Sequence, residues 1–114
     1  MAQKGNDAEQ IAAAYLLRQG LELIEQNYRC RFGEIDLIMS ERKILVFVEV
    51  RMRASDAYGG AAASITATKQ AKLLRTARHY LSGLQHEPAC RFDAILMTGT
   101  HNPRIEWIRN AFGE

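Results

Sequence analysis

The chain has 114 residues, 47% of them hydrophobic and 25% charged, and carries a formal net charge of +2. These values fit one compact domain over residues 1–114 and exclude a fibrous, low-complexity or multidomain chain. The charge is too mild to demand a nucleic-acid partner by itself, so any such reading must rest on where the charges sit.

The first predicted element is a helix over Asp7 to Gln19. Asn6 and Glu9 have the spacing of a capping box, Ala8, Ile11, Ala12, Tyr15, Leu16 and Gln19 recur at helical period, and Gly20 ends the run. Leu21 to Arg29 alternates loosely and reads as a first strand. Phe32 to Met39 and Ile44 to Arg51 form a hairpin around a short polar break. Ala54 to Ser64 has no period and little to bury, which predicts a loop long enough in so small a domain to suggest a functional role. A second helix follows, with Ser64, Thr66 or Thr68 as cap and an apolar stripe of Leu73, Leu74, Ala77, Tyr80, Leu81 and Leu84. Pro88 closes the break after it. Arg91 to Met97 and Arg104 to Arg109 are two further strands around a His101-Asn102-Pro103 turn. The order α-β-β-β-α-β-β is that of an α/β sheet protein.

The longest apolar run, Ile44 to Val48, is far short of a membrane span, so no membrane association is expected, and the N-terminus has no apolar leader. Cys30 and Cys90 lie too far apart in sequence for a disulfide framework or paired metal ligands, so the expected setting is the reducing cytoplasm and both are expected to pack. Trp107 reads the same way. His79, His86 and His101 lack the spacing of a histidine metal site.

The hairpin carries the chemistry. A turn centred on Glu41-Arg42 sets Ile35 opposite Val48, Leu37 opposite Val46 and Met39 opposite Ile44, leaving Ile35, Leu37, Met39, Ile44, Val46, Val48 and Val50 on one apolar face. The other face then holds Glu34, Asp36, Ile38, Leu45, Phe47, Glu49 and Arg51. In this register Asp36 is diagonal to Glu49, and Glu34 sits directly opposite Glu49. Opposed carboxylates repel and require compensation from Arg51, from a metal ion or from solvent. Magnesium is typically held by one or two carboxylates plus phosphate oxygens, which Asp36 and Glu49 could supply at a phosphodiester site. The same residues equally suit solvated charges and surface ion pairs at a wet sheet end. On the second helix Lys69, Lys72, Arg75 and either Arg78 or His79 fall opposite the apolar stripe, where with Arg51 and Arg53 they could track a phosphate backbone or simply be solvated.

Asp36 followed on the next strand by Glu49-Val50-Arg51 resembles the PD-(D/E)XK signature of restriction-endonuclease-like nucleases. Glu9, "GEIDLI" at Gly33 to Ile38, "FVEVR" at Phe47 to Arg51, "ITATKQ" at Ile65 to Gln70 and "RFDAI" at Arg91 to Ile95 are similar in order and spacing to the YraN-like family of bacterial proteins, over nearly the whole chain. That resemblance implies a restriction-endonuclease-like mixed sheet flanked by helices, akin to Holliday-junction resolvases. It further implies Asp36 and Glu49 as ligands of Mg2+ or Mn2+, Glu9 as an accessory acid, unless capping alone explains it, and Gln70 as a residue that orients water or phosphate. The implied substrate is DNA, branched or structured, and the implied assembly a homodimer. Relatives usually have Lys where this sequence has Arg51. Arginine stays charged and cannot act as a base, so Arg51 is expected to stabilise phosphate charge only. Two other functions fit the same residues: a nucleic-acid-binding module that has lost turnover, and a protein-interaction domain.

Overall fold

The computed structural model describes residues 4–53, 65–99 and 102–112, with side chains from Asp7 onward. Seven elements follow in the expected order: α1 (Lys4–Arg18), β1 (Glu22–Cys30), β2 (Gly33–Glu41), β3 (Ile44–Arg53), α2 (Ala67–Ser82), β4 (Cys90–Thr98) and β5 (Arg104–Phe112). The loop expected over Ala54 to Ser64, the Ser64 cap candidate and His101 lie outside the described residues.

α1 begins at Lys4, ahead of Asn6, so Asn6 lies within the first turn and not at the cap position that a capping box with Glu9 requires. This frees Glu9 from the role of capping residue. The other end behaves as its sequence predicts. Gly20 adopts φ 102°, and the Gly20 and Leu21 N–H groups donate to the Leu17 and Leu16 carbonyls at 3.1 Å each, a Schellman closure that turns the chain into β1. On α2, Thr66 is the cap, its Oγ1 accepting the Lys69 N–H at 3.3 Å.

The strands form one five-stranded sheet in sequential order β1-β2-β3-β4-β5. Only β3 and β4 run parallel, because α2 carries the chain across between them. Alternation along β3 divides the core. Val46, Val48 and Val50 face α1, packing with Ala12, Leu16, Leu37, Met39, Ile95 and Met97. Leu45 and Phe47 face α2, packing with Ile38, Leu73, Ala77 and Phe92. The sheet is therefore covered by one helix on each side, and Glu49 and Arg51 follow Phe47 on the α2 side.

Two expectations for the hairpin change. The turn is Arg42-Lys43, both at positive φ (51° and 75°), so Leu37 pairs with Val48 and Met39 with Val46. A primed two-residue turn matches the twist of the strands, which is why it displaces the looser turn expected around Glu41-Arg42. The register moves by an even number of residues, so most side chains keep their faces. Ile35 does not: it packs in the α2 cluster with Ile38 and Leu73 rather than with Leu37 and Met39. The cause is a local break at Asn27 and Asp36, described below.

On the α1 face of β4, level with Val48, Asp93 is fully buried yet completely bonded. It accepts from Arg91 Nε at 2.9 Å, Trp107 Nε1 at 2.9 Å and the Asn110 N–H at 2.9 Å. Arg91 and Arg109 both clamp Glu41 at 2.8 Å, and the Arg109 guanidinium covers the Trp107 ring at 3.9 Å. These bonds hold Glu41's carboxyl below the usual range, and they tie the β2 end of the hairpin to β4 and β5. Trp107, expected only to pack, is thus also a donor. Removing one partner of a buried, hydrogen-bonded charge pair costs about 3–5 kcal/mol. Asp93→Ala should lower the unfolding free energy by about that amount in urea titrations. A loss below about 1 kcal/mol would show that the network is not holding these strands together.

Candidate functional site

The site lies where β2 and β3 part. Their pairing stops at Leu37–Val48, and beyond it the Asp36 Oδ2 accepts the Val50 N–H at 2.8 Å, a side-chain bond in place of the next main-chain rung. Asn27 on β1 falls opposite Asp36, between the pairs Gln26–Leu37 and Tyr28–Ile35, and adopts φ 55°. Asparagine visits this left-handed region more readily than most residues. The break allows Ile35 to turn toward α2 while Asp36 points into the gap.

An open cleft of 250 Å³ occupies the gap, lined by Glu34, Asp36, Glu49 and Arg51 from the sheet and by Lys69 and Lys72 from α2. Gly33, at φ 148°, lets α2 approach. A Cβ there would meet Thr76 Oγ1 at 3.2 Å, and Thr76 is itself fixed by donating to the Lys72 carbonyl at 2.8 Å. Arg51 forms an ion pair with Glu49, whose side chain is 8% exposed. The direct Glu34–Glu49 opposition expected from the sequence does not occur, because β2 and β3 pair two residues out of the expected register and only as far as Leu37–Val48; Glu34 is paired instead with Arg29 on β1 at 3.3 Å. From the other side, Glu9 of α1 reaches Asp36 and accepts a bond from Asn27.

Burial sets the electrostatics. Glu49 is pushed up to about 8, first by desolvation and then by the charge of Asp36, against the pull of Arg51 and Lys69. Glu9 rises to about 7 for the same two reasons, burial leading. Asp36 is raised by burial and restrained chiefly by the Val50 N–H. Burial and the nearby charge of Asp36 thus favour the protonated forms of Glu9 and Glu49 on either side of it, while the Arg51 guanidinium favours the charged form of Glu49. Among the described residues the Glu9 Oε1 and the Arg51 Nε are buried without a hydrogen-bond partner.

Among the described residues no three His, Cys, Asp or Glu side chains form a ligand group for a metal ion. Two carboxyl groups in an open cleft nonetheless fit a hard cation that completes its shell with water and phosphate oxygens. The orphaned Glu9 oxygen beside Asp36 agrees with that fit. The donor set is thus compatible with magnesium or manganese held by Asp36 and Glu49.

Of the residues singled out in the sequence, Glu9, Asp36, Glu49, Arg51, Lys69 and Lys72 come together. Lys69 and Lys72, both exposed, line the cleft from α2. Gln70 stands apart. Its Nε2 donates to the Ile65 carbonyl at 3.3 Å, and it lines a separate hollow with Ala94, Leu96 and Ile108, so it does not reach the carboxylates. Arg53 and Arg75 are exposed and lie outside the cleft lining. Asn27 and Thr76 were not anticipated. The only sequence signal for Asn27 was a turn-type residue inside a strand pattern.

The fold and the cleft define a class: a mixed α/β domain whose strands part around buried carboxylates. The chain belongs to Uncharacterised protein family UPF0102, which matches residues 8–97. A UPF0102 protein of Nitrosomonas europaea is 67% identical over 97% of this chain and 94% of its own. One of Nitrosospira multiformis is 59% identical over 96% and 92%, and one of Methylobacillus flagellatus 55% over 98% of both.

The raised carboxyls make a signed prediction for the metal-free protein. Folded Glu49 and Glu9 hold protons that the unfolded chain releases above the usual 4.5, so the folded state binds more protons between about pH 5 and 8. Stability should accordingly fall as pH rises through that window. Glu49→Gln should flatten the fall and raise the urea midpoint at pH 8. A wild-type midpoint that is constant or rises from pH 5 to 8, with no difference in Glu49→Gln, would contradict these protonation states.

Proposed function

We propose that this chain is a metal-dependent nuclease that hydrolyses phosphodiester bonds in DNA of branched or structured form, acting in the cytoplasm. The reading rests on one observation above all: Asp36, Glu49 and Arg51 converge with Lys69 and Lys72 in a single cleft. It agrees with the kinship to endonuclease-like proteins that the motifs "GEIDLI" and "FVEVR" imply.

Asp36 and Glu49 would hold Mg2+ or Mn2+, which when bound lowers the pKa of a coordinated water. The chain's own residues do the rest. Lys69 and Lys72 attract and position the phosphate at the cleft mouth. Arg51, released from Glu49, has a planar fork of donors that meets two phosphate oxygens and offsets the charge that builds on them. It cannot take a proton from water. Glu9, poised near neutrality, can exchange a proton with Asp36 at the rear of the site.

The purified protein with magnesium or manganese should nick a flapped or four-way DNA. Asp36→Asn and Glu49→Gln should each abolish the product, and Arg51→Lys should increase the rate. Cleavage that survives both carboxylate substitutions would refute the assignment.

A second reading has its own support. The Arg51–Glu49 ion pair engages a carboxylate that the metal needs, which suits a module that binds nucleic acid and turns over weakly or not at all. Contacts from three or four of Arg51, Arg53, Lys69, Lys72 and Arg75 to duplex phosphates would give a slope of log affinity against log salt of roughly −3. Charge reversal at Lys69 and Lys72 should flatten that slope, whichever reading holds. An unchanged slope would remove the α2 lysines from the DNA contact.

A further inference from the structure

The turn between β1 and β2 is Arg31-Phe32, and its composition is unusual for its place. Short surface turns favour Gly, Asn, Asp and Ser, yet this one presents an aromatic ring next to Gly33 of the cleft lining. Phe32 is half-buried, and the exposed Arg31 guanidinium lies over its ring at 4.9 Å. The exposed ring of His79 on α2 meets Phe32 edgewise, with centroids 6.0 Å apart and planes at 63°. Beneath them the support is firm. The Tyr28 hydroxyl and the His79 Nδ1 are hydrogen-bonded at 2.5 Å, and Tyr28 packs against Tyr80 at 5.1 Å. The Phe32 N–H donates to the Cys30 Sγ at 3.4 Å, which fixes the turn.

This aromatic cluster adjoins the cleft. Phe32 precedes Gly33 and Glu34 on the strand that carries Asp36, a separation of about 13 Å for four strand residues at ~3.3 Å each. On α2, Lys72, Arg75 and His79 succeed one another along one ridge, spanning about 10 Å at ~1.5 Å per residue. Lys72 and Arg75 thus lead from the cleft toward the aromatic seat, over a distance short enough for neighbouring nucleotides of one strand to follow.

We propose that Phe32, with Arg31 and His79, is a stacking seat for one unpaired nucleobase of the DNA strand whose phosphate lies in the cleft. The proposal rests on the nucleic-acid reading above and specifies its substrate: a strand with at least one base out of the duplex stack. A paired base has both π-faces covered by its neighbours, whereas an unpaired one is free to lie on an aromatic ring, whatever its identity. The base takes the place over Phe32 that the Arg31 guanidinium holds in the free protein. An exposed cation–π contact is weak enough to yield, and the displaced guanidinium then has a phosphate to pair with. The flanking charge favours a polyanion over an apolar partner surface.

The test uses the full chain in EDTA, so that binding is read without cleavage. The probe is a flapped DNA carrying a single abasic site moved stepwise through the unpaired strand beside the junction. One position should weaken wild-type binding about tenfold, within the ~5- to 100-fold range of base–aromatic stacking. Phe32→Ala should weaken the intact flap by a similar factor and show no further loss at that position, while Phe32→Trp should bind as wild type does. In the wild type, 2-aminopurine at the same position should be quenched. A featureless abasic scan, or losses in Phe32→Ala that simply multiply with the abasic loss, would overturn the seat and leave the nuclease reading intact. Should Phe32→Ala fail to fold, the wild-type scan and Phe32→Trp decide alone. Failure of the wild type to bind any DNA would overturn the nucleic-acid reading itself, and the seat with it.

Discussion

The hydrogen bond from the Val50 N–H to the Asp36 carboxylate organises this molecule. It is made by a side chain at the point where the hairpin would otherwise continue as sheet, so it ends the ladder while still satisfying a buried main-chain donor. A continued ladder would leave no room for a cleft. An apolar residue at Asp36 would leave the donor unmet, at a cost of about 1–3 kcal/mol. One carboxylate therefore opens the gap, stays in it, and is the group on which the neighbouring charges converge.

The neighbours of Asp36 are held in tension. Glu9, Asp36 and Glu49 are drawn from three different elements into surroundings that disfavour their charges, offset by Arg51 and Lys69 at Glu49, by the Val50 N–H at Asp36 and by Asn27 at Glu9. Packing on both faces of the sheet supports the arrangement, since Val46, Val48 and Val50 anchor β3 against α1 while Leu45 and Phe47 anchor it against α2. Burial favours the neutral form of these carboxyls, so the arrangement costs stability wherever they are charged. Arg51 adds a second constraint. It reduces the repulsion by pairing with Glu49, yet the same bond must open before both groups can meet a ligand.

Much of this was legible in the sequence, for local reasons. Alternation in Ile44 to Val50 places Glu49 and Arg51 on one face whatever the turn, because the faces survive an even shift in register. The stripe Leu73, Leu74, Ala77, Tyr80 and Leu81 defines α2 because helical period is a property of the segment alone. What stayed hidden depends on partners distant in the chain. The strand pattern gave Ile35 to the face of Leu37, and only the coincidence of Asn27 with Asp36 across two strands moves it. Asn6 and Glu9 have capping-box spacing, but spacing cannot tell that the helix starts a turn earlier. Asp93 reads as a polar interruption in an apolar strand until Arg91, Trp107 and Asn110 surround it. Gln70 shows the converse: its place on the helix is legible, but the hollow it faces is set by β4 and β5.

The two outer strands share one more feature. β1 is interrupted by Asn27 and a register shift between Leu23 and Glu25, and β5 by Asn110, at φ 52°, where the ladder slips between Phe92 and Ala94. Each irregularity has an inward purpose, since Asn27 contacts Glu9 and the Asn110 N–H meets Asp93. Outwardly, each spoils the even row of donors and acceptors that an incoming strand would need. The polar bonds that build the interior thus make both margins of the sheet poor templates, although Leu23 and Ile24 stand exposed on one of them. Protection against fibrillar self-addition comes as a by-product of the polar bonds made inside the fold.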